Sequence, residues 1–168
     1  MSDIYKESFE KTRTAGSIAA AALDEVTKII KPGISTNEID KVCYEFINDH
    51  NAYSAPLFYR GFPKSFCTSA NHVICHGIPS DKILKDGDII NVDVTAYKDG
   101  WHGDTSRMFK VGEISIKAEK LIFIAQKYIP ADRAPNIQAA LKKISSKEKK
   151  TIVIFGSLYL VGDVLNKN

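Results

Sequence analysis

Residues 88–109, DIINVDVTAYKDGWHGDTSRMF, predict a β-hairpin with one carboxylate in each strand. In the first strand isoleucine and valine alternate with polar residues, the period of two that places the two sets on opposite faces. The Asp-Gly dipeptide at 99–100 is a preferred two-residue hairpin turn. Asp93 and Asp104 lie at nearly equal distances from that turn. We therefore expect them to be cross-strand neighbours, within roughly 8 Å of each other.

Two carboxylates at this distance repel each other, so such a pair is usually held by a cation or shares a proton. Carboxylate oxygens suit Mg, Mn, Fe or Zn ions, which favours a metal as the partner of Asp93 and Asp104. Two unrelated, solvated hairpin aspartates are the alternative. Spacing alone leaves both interpretations open.

Longer sequence strings around the hairpin favour the metal-site interpretation of the two aspartates. The chain reads GFPKSFCTS at 61–69 and HGIP at 76–79, and the hairpin itself contains INVDVT and GWHGDTSRMF. In this order and spacing, over about residues 4–127, these strings resemble the first half of type I methionine aminopeptidases of the bacterial and organellar kind. The resemblance implies an α/β (α+β) chain that forms half of the pita-bread (creatinase/aminopeptidase-like) fold, with antiparallel strands and two N-terminal helices.

The resemblance also implies roles for single residues. Asp93 matches a ligand of one metal ion, and Asp104 matches a carboxylate that bridges two. His76 matches the histidine that contacts the scissile peptide bond and helps to stabilise its transition state. Taken by itself, His76 could equally be a structural histidine. A pair of metal ions generates hydroxide at neutral pH and polarises a carbonyl group, which is the chemistry that these roles require.

Three further positions match the pocket that holds the methionine side chain in that family, namely Tyr59, Phe62 and Cys67. An aromatic ring beside a soft sulfur suits a thioether. From the residues alone, Tyr59 and Cys67 could also be core residues, since both types are often buried. The resemblance implies metal-dependent removal of the initiator methionine, with Mn, Fe, Co or Zn as cofactor and nascent polypeptide N-termini as partners.

The remaining metal ligands of the family are one histidine and two glutamates from the second half of its fold. All four histidines of this chain precede Asp104, and the glutamates after it are Glu113, Glu119 and Glu148, none in a context resembling the family's ligand motifs. Two carboxylates support at most one weakly bound ion that keeps most of its waters. We therefore expect activity to be impaired or absent in this chain.

The chain changes character after about residue 127. Residues 1–127 carry 16 basic and 17 acidic residues, whereas 128–168 carry 7 and 3, so the net charge changes from −1 to +4. The second segment predicts a helix, a buried strand at Thr151–Phe155 and a short last helix. Its strings NIQAALKKI and TIVIFGSLYLVGDVL resemble the C-terminal end of folylpolyglutamate synthases. We expect two domains, 1–127 and 128–168.

Two hypotheses of function follow. The first is a metalloaminopeptidase, and the second is a non-catalytic remnant of a rearranged or frameshifted gene. A homodimer is the one assembly that would bring two copies of Asp93 and Asp104 together into a four-carboxylate site.

Three unevenly spaced cysteines and the lack of a signal peptide or a long apolar run predict a cytoplasmic protein. We expect neither nucleic acid nor membrane as a partner.

Local patterns predict the elements of the first segment. Apolar residues at helical spacing, beginning with Phe9, predict a first helix that ends at Ile30, before Pro-Gly. Ser35-Thr-Asn-Glu38 has the form of a capping box, and an apolar stripe follows it. Short strands are expected around 66–68 and 73–75, and a helix from about residue 116.

Overall fold

The computed structural model describes residues 3–126. In chain order the elements are α1 (Asp3–Ile29), α2 (Thr36–Asp49), β1 (Tyr53–Ser54), a 3₁₀ turn (Tyr59–Gly61), β2 (Cys67–Ala70), β3 (Ile89–Lys98), β4 (Trp101–Lys110) and α3 (Ile116–Gln126). The predicted tail of 128–168, with its strand at Thr151–Phe155, lies outside the described residues. None of the helices within 3–126 has the length and apolar sequence that a bilayer crossing requires.

The sheet is antiparallel and is built around β3. Strands β1 and β2 pair with different parts of one side of β3, and β4 pairs with its other side over the full length of both strands. The β3–β4 connection is a two-residue loop in which Asp99 and Gly100 both have a positive φ, 49° and 91°. This is the geometry that favours Asp-Gly in hairpins, because it matches the twist of the strands. The predicted hairpin is confirmed.

One face of the sheet supplies the core. Ile90, Val92, Val94 and Ala96 of β3 are fully buried, and they pack with α1 and α2 in one apolar cluster. The intervening side chains of β3 lie on the opposite face and are partly exposed. The predicted alternation is therefore present, and it leaves one face of the hairpin available for a site.

Helix α2 is held at both of its ends. At its N-terminus Glu38 N donates to Ser35 Oγ (3.2 Å), and Ser35 N donates to Glu38 Oε2 (2.8 Å), which confirms the capping box. At its C-terminus Lys98 Nζ donates to the carbonyls of His50 (3.1 Å) and Asn51 (2.8 Å). A cation at this end also complements the helix dipole.

Three expectations need correction. The first helix ends at Ile29, one residue before the predicted end. Phe9, the first residue of the predicted apolar repeat, is 64% exposed, because within the described residues the apolar cluster begins further along α1. The predicted strand at 73–75 is absent from the described chain. That segment is an irregular loop, closed at its start by a bond from Val73 N to Ala70 O. The strand predicted around 66–68 is present, and it spans Cys67–Ala70.

Candidate functional site

The hairpin brings Asp93 and Asp104 together on one face. Asp93 lies opposite Ser106, and Asp104 lies opposite Thr95, so the two aspartates are diagonal neighbours with one residue pair between them. Residues two apart in a strand share a face, and both side chains therefore project away from the buried valines. The register thus agrees with the neighbourhood that the sequence predicts, although the aspartates are not directly opposite each other.

The carboxylates differ in their surroundings. Burial raises the pKa of Asp93 above its usual value, the negative charge of Asp104 raises it further, and the nearby His76 opposes the shift. Asp104 is more exposed, and it accepts a hydrogen bond from Thr95 Oγ1 at 2.9 Å. A cation between the two carboxylates would relieve the repulsion that disfavours ionised Asp93.

A cleft of about 930 Å³ opens over this face of the hairpin. All six residues that the sequence selected line it, namely Tyr59, Phe62, Cys67, His76, Asp93 and Asp104. The remaining lining residues were not anticipated, namely Ala55, Pro56, Arg60, Gly61, Pro63, Ile78, Thr95 and His102. Thr95 and His102 each lie two positions from a selected aspartate, so the same alternation could have identified them.

The aromatic wall of the cleft is a tightly closed loop. Phe58 N donates to Phe62 O, and Phe62 N donates to Tyr59 O, each at 2.9 Å. Phe58 and Arg60 have φ values of 65° and 48°, a left-handed conformation that side chains other than glycine rarely adopt. The bonds within the loop hold this conformation and present Tyr59 and Phe62 to the cleft.

The wall of the cleft that carries Cys67 is positioned by the buried side chain of Asp40. Asp40 Oδ1 accepts hydrogen bonds from the backbone N–H groups of Ser65 and Phe66, both at 3.0 Å, just before Cys67 enters β2. Cys67 lies directly opposite Asp93 in the sheet. Burial, together with nearby acidic groups that include Asp93, raises the pKa of the Cys67 thiol to about 11. The thiol is therefore protonated at neutral pH and is a poor nucleophile.

His76 reaches the cleft from a loop that packs closely against β2. Thr68 N donates to Gly77 O (2.8 Å), and Gly77 N donates to Ser69 Oγ (3.1 Å). A Cβ atom at Gly77 would collide with the carbonyl of Thr68, so only glycine allows this approach. His76 itself has a φ of 53°, and its side chain is exposed in the cleft.

Asp93 and Asp104 are the described residues best suited to hold a metal ion. Within residues 3–126 no group of three or more histidine, cysteine, aspartate or glutamate side chains has a metal-binding arrangement. Two carboxylates on one face suit a hard divalent ion that keeps water as its other ligands. The donor set therefore fits one weakly held ion better than a pair of tightly held ions.

Comparison with known proteins yields two family matches. Residues 10–131 match metallopeptidase family M24, and residues 112–167 match the C-terminal domain of dihydrofolate synthetase. These matches confirm both resemblances inferred from the sequence strings. They overlap between residues 112 and 131, around the point where the net charge changes.

Individual relatives agree with the first match. Methionine aminopeptidase of Rickettsia prowazekii is 56% identical over 117 residues, which is 70% of this chain and 45% of that protein. The Escherichia coli enzyme is 46% identical over 157 residues, 88% of this chain and 60% of its own length. The crystal structure of the Rickettsia enzyme matches with a TM-score of 0.70 at 55% identity, covering 71% of this chain and 48% of that one.

These similarities confirm the fold class, half of the pita-bread fold, and they define its extent. The chain spans about half the length of the curated relatives that it matches. The described cleft, from the aromatic loop to the hairpin, lies within the matched segment.

Proposed function

Because the chain belongs to metallopeptidase family M24, we propose that its cleft is the methionine-binding side of an aminopeptidase site. Tyr59, Phe62 and Cys67 line the pocket for the methionine side chain in this proposal, and His76 faces the peptide bond. The observation that carries the proposal is that all six residues selected from the sequence line one cleft. The natural ligands are the N-termini of nascent polypeptides, encountered in the cytoplasm.

The walls of the cleft suit a thioether side chain. Aromatic rings and a protonated thiol offer polarisable, uncharged surfaces, which favour methionine over charged or strongly polar side chains. The raised pKa of Cys67 supports this role, because a thiolate there would repel both aspartates and would require its own counter-ion. In this proposal Cys67 is a wall of the pocket and takes no part in bond making.

Asp93 and Asp104 are the residues that would hold a divalent ion, such as Mn, Fe, Co or Zn. When bound, such an ion lowers the pKa of a coordinated water molecule and polarises a carbonyl oxygen. Thr95 fixes the orientation of Asp104 through its hydrogen bond. Without a metal, the same two carboxylates attract the ammonium group of a peptide N-terminus.

We propose further that these 168 residues alone have negligible aminopeptidase activity. No histidine follows Asp104 in the sequence, and only two family-type metal ligands are present. A hydroxide nucleophile requires a metal shell that fixes geometry, and two carboxylates with one weakly held ion do not provide it. In this proposal the 168 residues join an aminopeptidase half to a dihydrofolate-synthetase-like tail and do not hydrolyse peptides by themselves.

The test is methionine release from a Met-Ala-Ser peptide by the purified chain with Mn²⁺ or Co²⁺, together with calorimetric titration of Mn²⁺. We expect no release above the rate without protein, and at most one weakly bound ion per chain. Asp104→Asn should weaken that binding further, whereas Asp49→Asn, an exposed aspartate outside the cleft, should not. Tight binding of two ions, with methionine release that Asp104→Asn abolishes, would refute the inactive assignment. That result would support a homodimeric four-carboxylate site if the protein also sediments as a dimer.

A further inference from the structure

We propose that Arg60 is a specificity-determining residue of the cleft, which favours methionyl peptides that carry an acidic side chain downstream of the methionine. This inference rests on the proposed function, because it takes the cleft to be a peptide site. It concerns the side chains of the peptide beyond its first residue. None of the roles proposed for the six residues selected from the sequence involves a contact with these side chains.

The charges of the cleft are unequally distributed. Among the described residues that line it, Asp93 and Asp104 are the acids, and Arg60 is the only lysine or arginine. None of the ion pairs within residues 3–126 involves Arg60, so its charge is not neutralised by a carboxylate of the described chain. Its guanidinium lies 5.5 Å from the centroid of the Tyr59 ring, a cation–π contact that leaves its hydrogen-bond donors available.

The backbone at Arg60 suggests that its side chain has a role. A φ of 48° would suit glycine, and the next residue, Gly61, has a φ of 83°. A left-handed conformation at a large residue is unfavourable, and such strain tends to persist at binding sites where the surrounding structure enforces it. Here the loop is closed by bonds from Tyr59 N to Pro56 O (3.0 Å) and from Gly61 N to Phe58 O (3.3 Å). Arg60 lines the cleft, and its guanidinium lies against the ring of Tyr59, which lines the same cleft.

These charges select an orientation for a bound peptide. The N-terminal ammonium group is attracted to Asp93 and Asp104, and the methionine side chain fills the aromatic and thiol pocket. Later residues of the peptide then occupy the rest of the cleft, where Arg60 is the one lysine or arginine among the described lining residues. Arginine presents a planar fork that binds a carboxylate through two parallel hydrogen bonds, so an aspartate or glutamate side chain is the matching group.

The experiment is an NMR titration of the metal-free 168-residue protein at low ionic strength. The probes are the C-terminally amidated peptides Met-Ala-Asp-Gly and Met-Ala-Lys-Gly, which differ in one side chain only. We expect the aspartyl peptide to bind about threefold more tightly, the ratio that one solvent-exposed ion pair provides. Arg60→Gln should remove this preference, and Arg60→Glu should reverse it. Lys117→Glu makes the same charge change at an exposed position outside the cleft lining, and it should keep the preference.

The outcomes separate this inference from the function on which it rests. Equal affinities for the two peptides in the unmodified protein, or a preference lost equally in Lys117→Glu, would overturn the role of Arg60. If binding nevertheless requires a free amino group and a methionine, the proposed function survives. If neither peptide binds, or if an N-acetylated peptide binds equally well, the proposed function and the Arg60 inference both fail.

Discussion

Asp93 is the residue at which folding and function conflict. It is half-buried, and both its burial and the charge of Asp104 raise the pKa of its carboxyl group. The folded state therefore holds this proton more tightly than the unfolded chain does. As the pH rises from below the ordinary aspartate pKa through the raised folded value, the folded state loses stability relative to the unfolded one. Above that window the protein bears the whole penalty of an ionised Asp93.

We therefore expect Asp93→Asn to be more stable than the unmodified protein at pH 7, with a difference that narrows towards pH 4. Asp104→Asn should show the same trend with a smaller gain, because the larger cause of the shift, burial of Asp93, remains. Urea unfolding at the two pH values, without metal, gives both free energies of unfolding. A variant Asp93→Asn that is less stable at pH 7 would mean that contacts of the carboxylate outweigh its desolvation.

At the level of single residues the sequence predicts much of the site, because its strings resemble those of a known family. The strings select Tyr59, Phe62, Cys67, His76, Asp93 and Asp104, and all six line the cleft. Arg60 was not selected. Its place in the cleft depends on a loop closed through left-handed residues, a conformation that no periodicity encodes. What each of the six does in the cleft stays a prediction.

The contact between α1 and β4 determines how closely the first helix approaches the sheet. A Cβ atom at Gly103 would collide with the backbone of Ala15 and Gly16 in α1. Gly103 lies beside Asp104, so this contact also supports the strand that carries the site. A Cβ atom at Gly16, by contrast, would meet no heavy atom within 4 Å apart from its chain neighbours and the backbone of its own helix. Two glycines that meet at one interface therefore have opposite tolerances.

We expect Gly103→Ala to lower the free energy of unfolding by about 2–3 kcal/mol, because the added methyl group forces the helix away from the sheet. The matched substitution Gly16→Ala should raise it by about 0.5–1 kcal/mol, since alanine is favoured over glycine inside a helix. Urea unfolding measures both values. Equal effects of the two substitutions would show that the helix and the strand are less closely packed than the structure indicates.

The elements with strong local signals are those that the sequence predicts. Strand β3 has strict alternation, and α2 has a capping box followed by an apolar stripe. Strand β1 was missed, because it is two residues long and exists through its pairing with Tyr97 and Ala96. The strand predicted at 73–75 is absent for the opposite reason. Its residues suit a strand, but they follow a turn closed by Val73 N and Ala70 O, and they lie between the left-handed residues Asn71 and His76.

For the molecule as a whole, the division at about residue 127 stays a prediction, and calorimetry can test it. If 1–127 unfolds as its own unit, one transition should have an enthalpy of about 90 kcal/mol near 60 °C, and a smaller one should belong to 128–168. Fluorescence of Trp101, the single tryptophan, should follow only the larger transition. One transition of about 120 kcal/mol, seen identically by both methods, would show that the chain unfolds as a single unit.

The bond between Lys98 and the end of α2 has a consequence for the order of events during refolding. Helix α2 has no basic residue in its own last turn, and the cation there comes from a position 47 residues further along the chain than Asn51. Its first turn, in contrast, is capped by residues three apart and can form early. We therefore expect the last turn of α2 to gain the stabilisation from Lys98 only after the β3–β4 hairpin has closed, later than its first turn gains its cap.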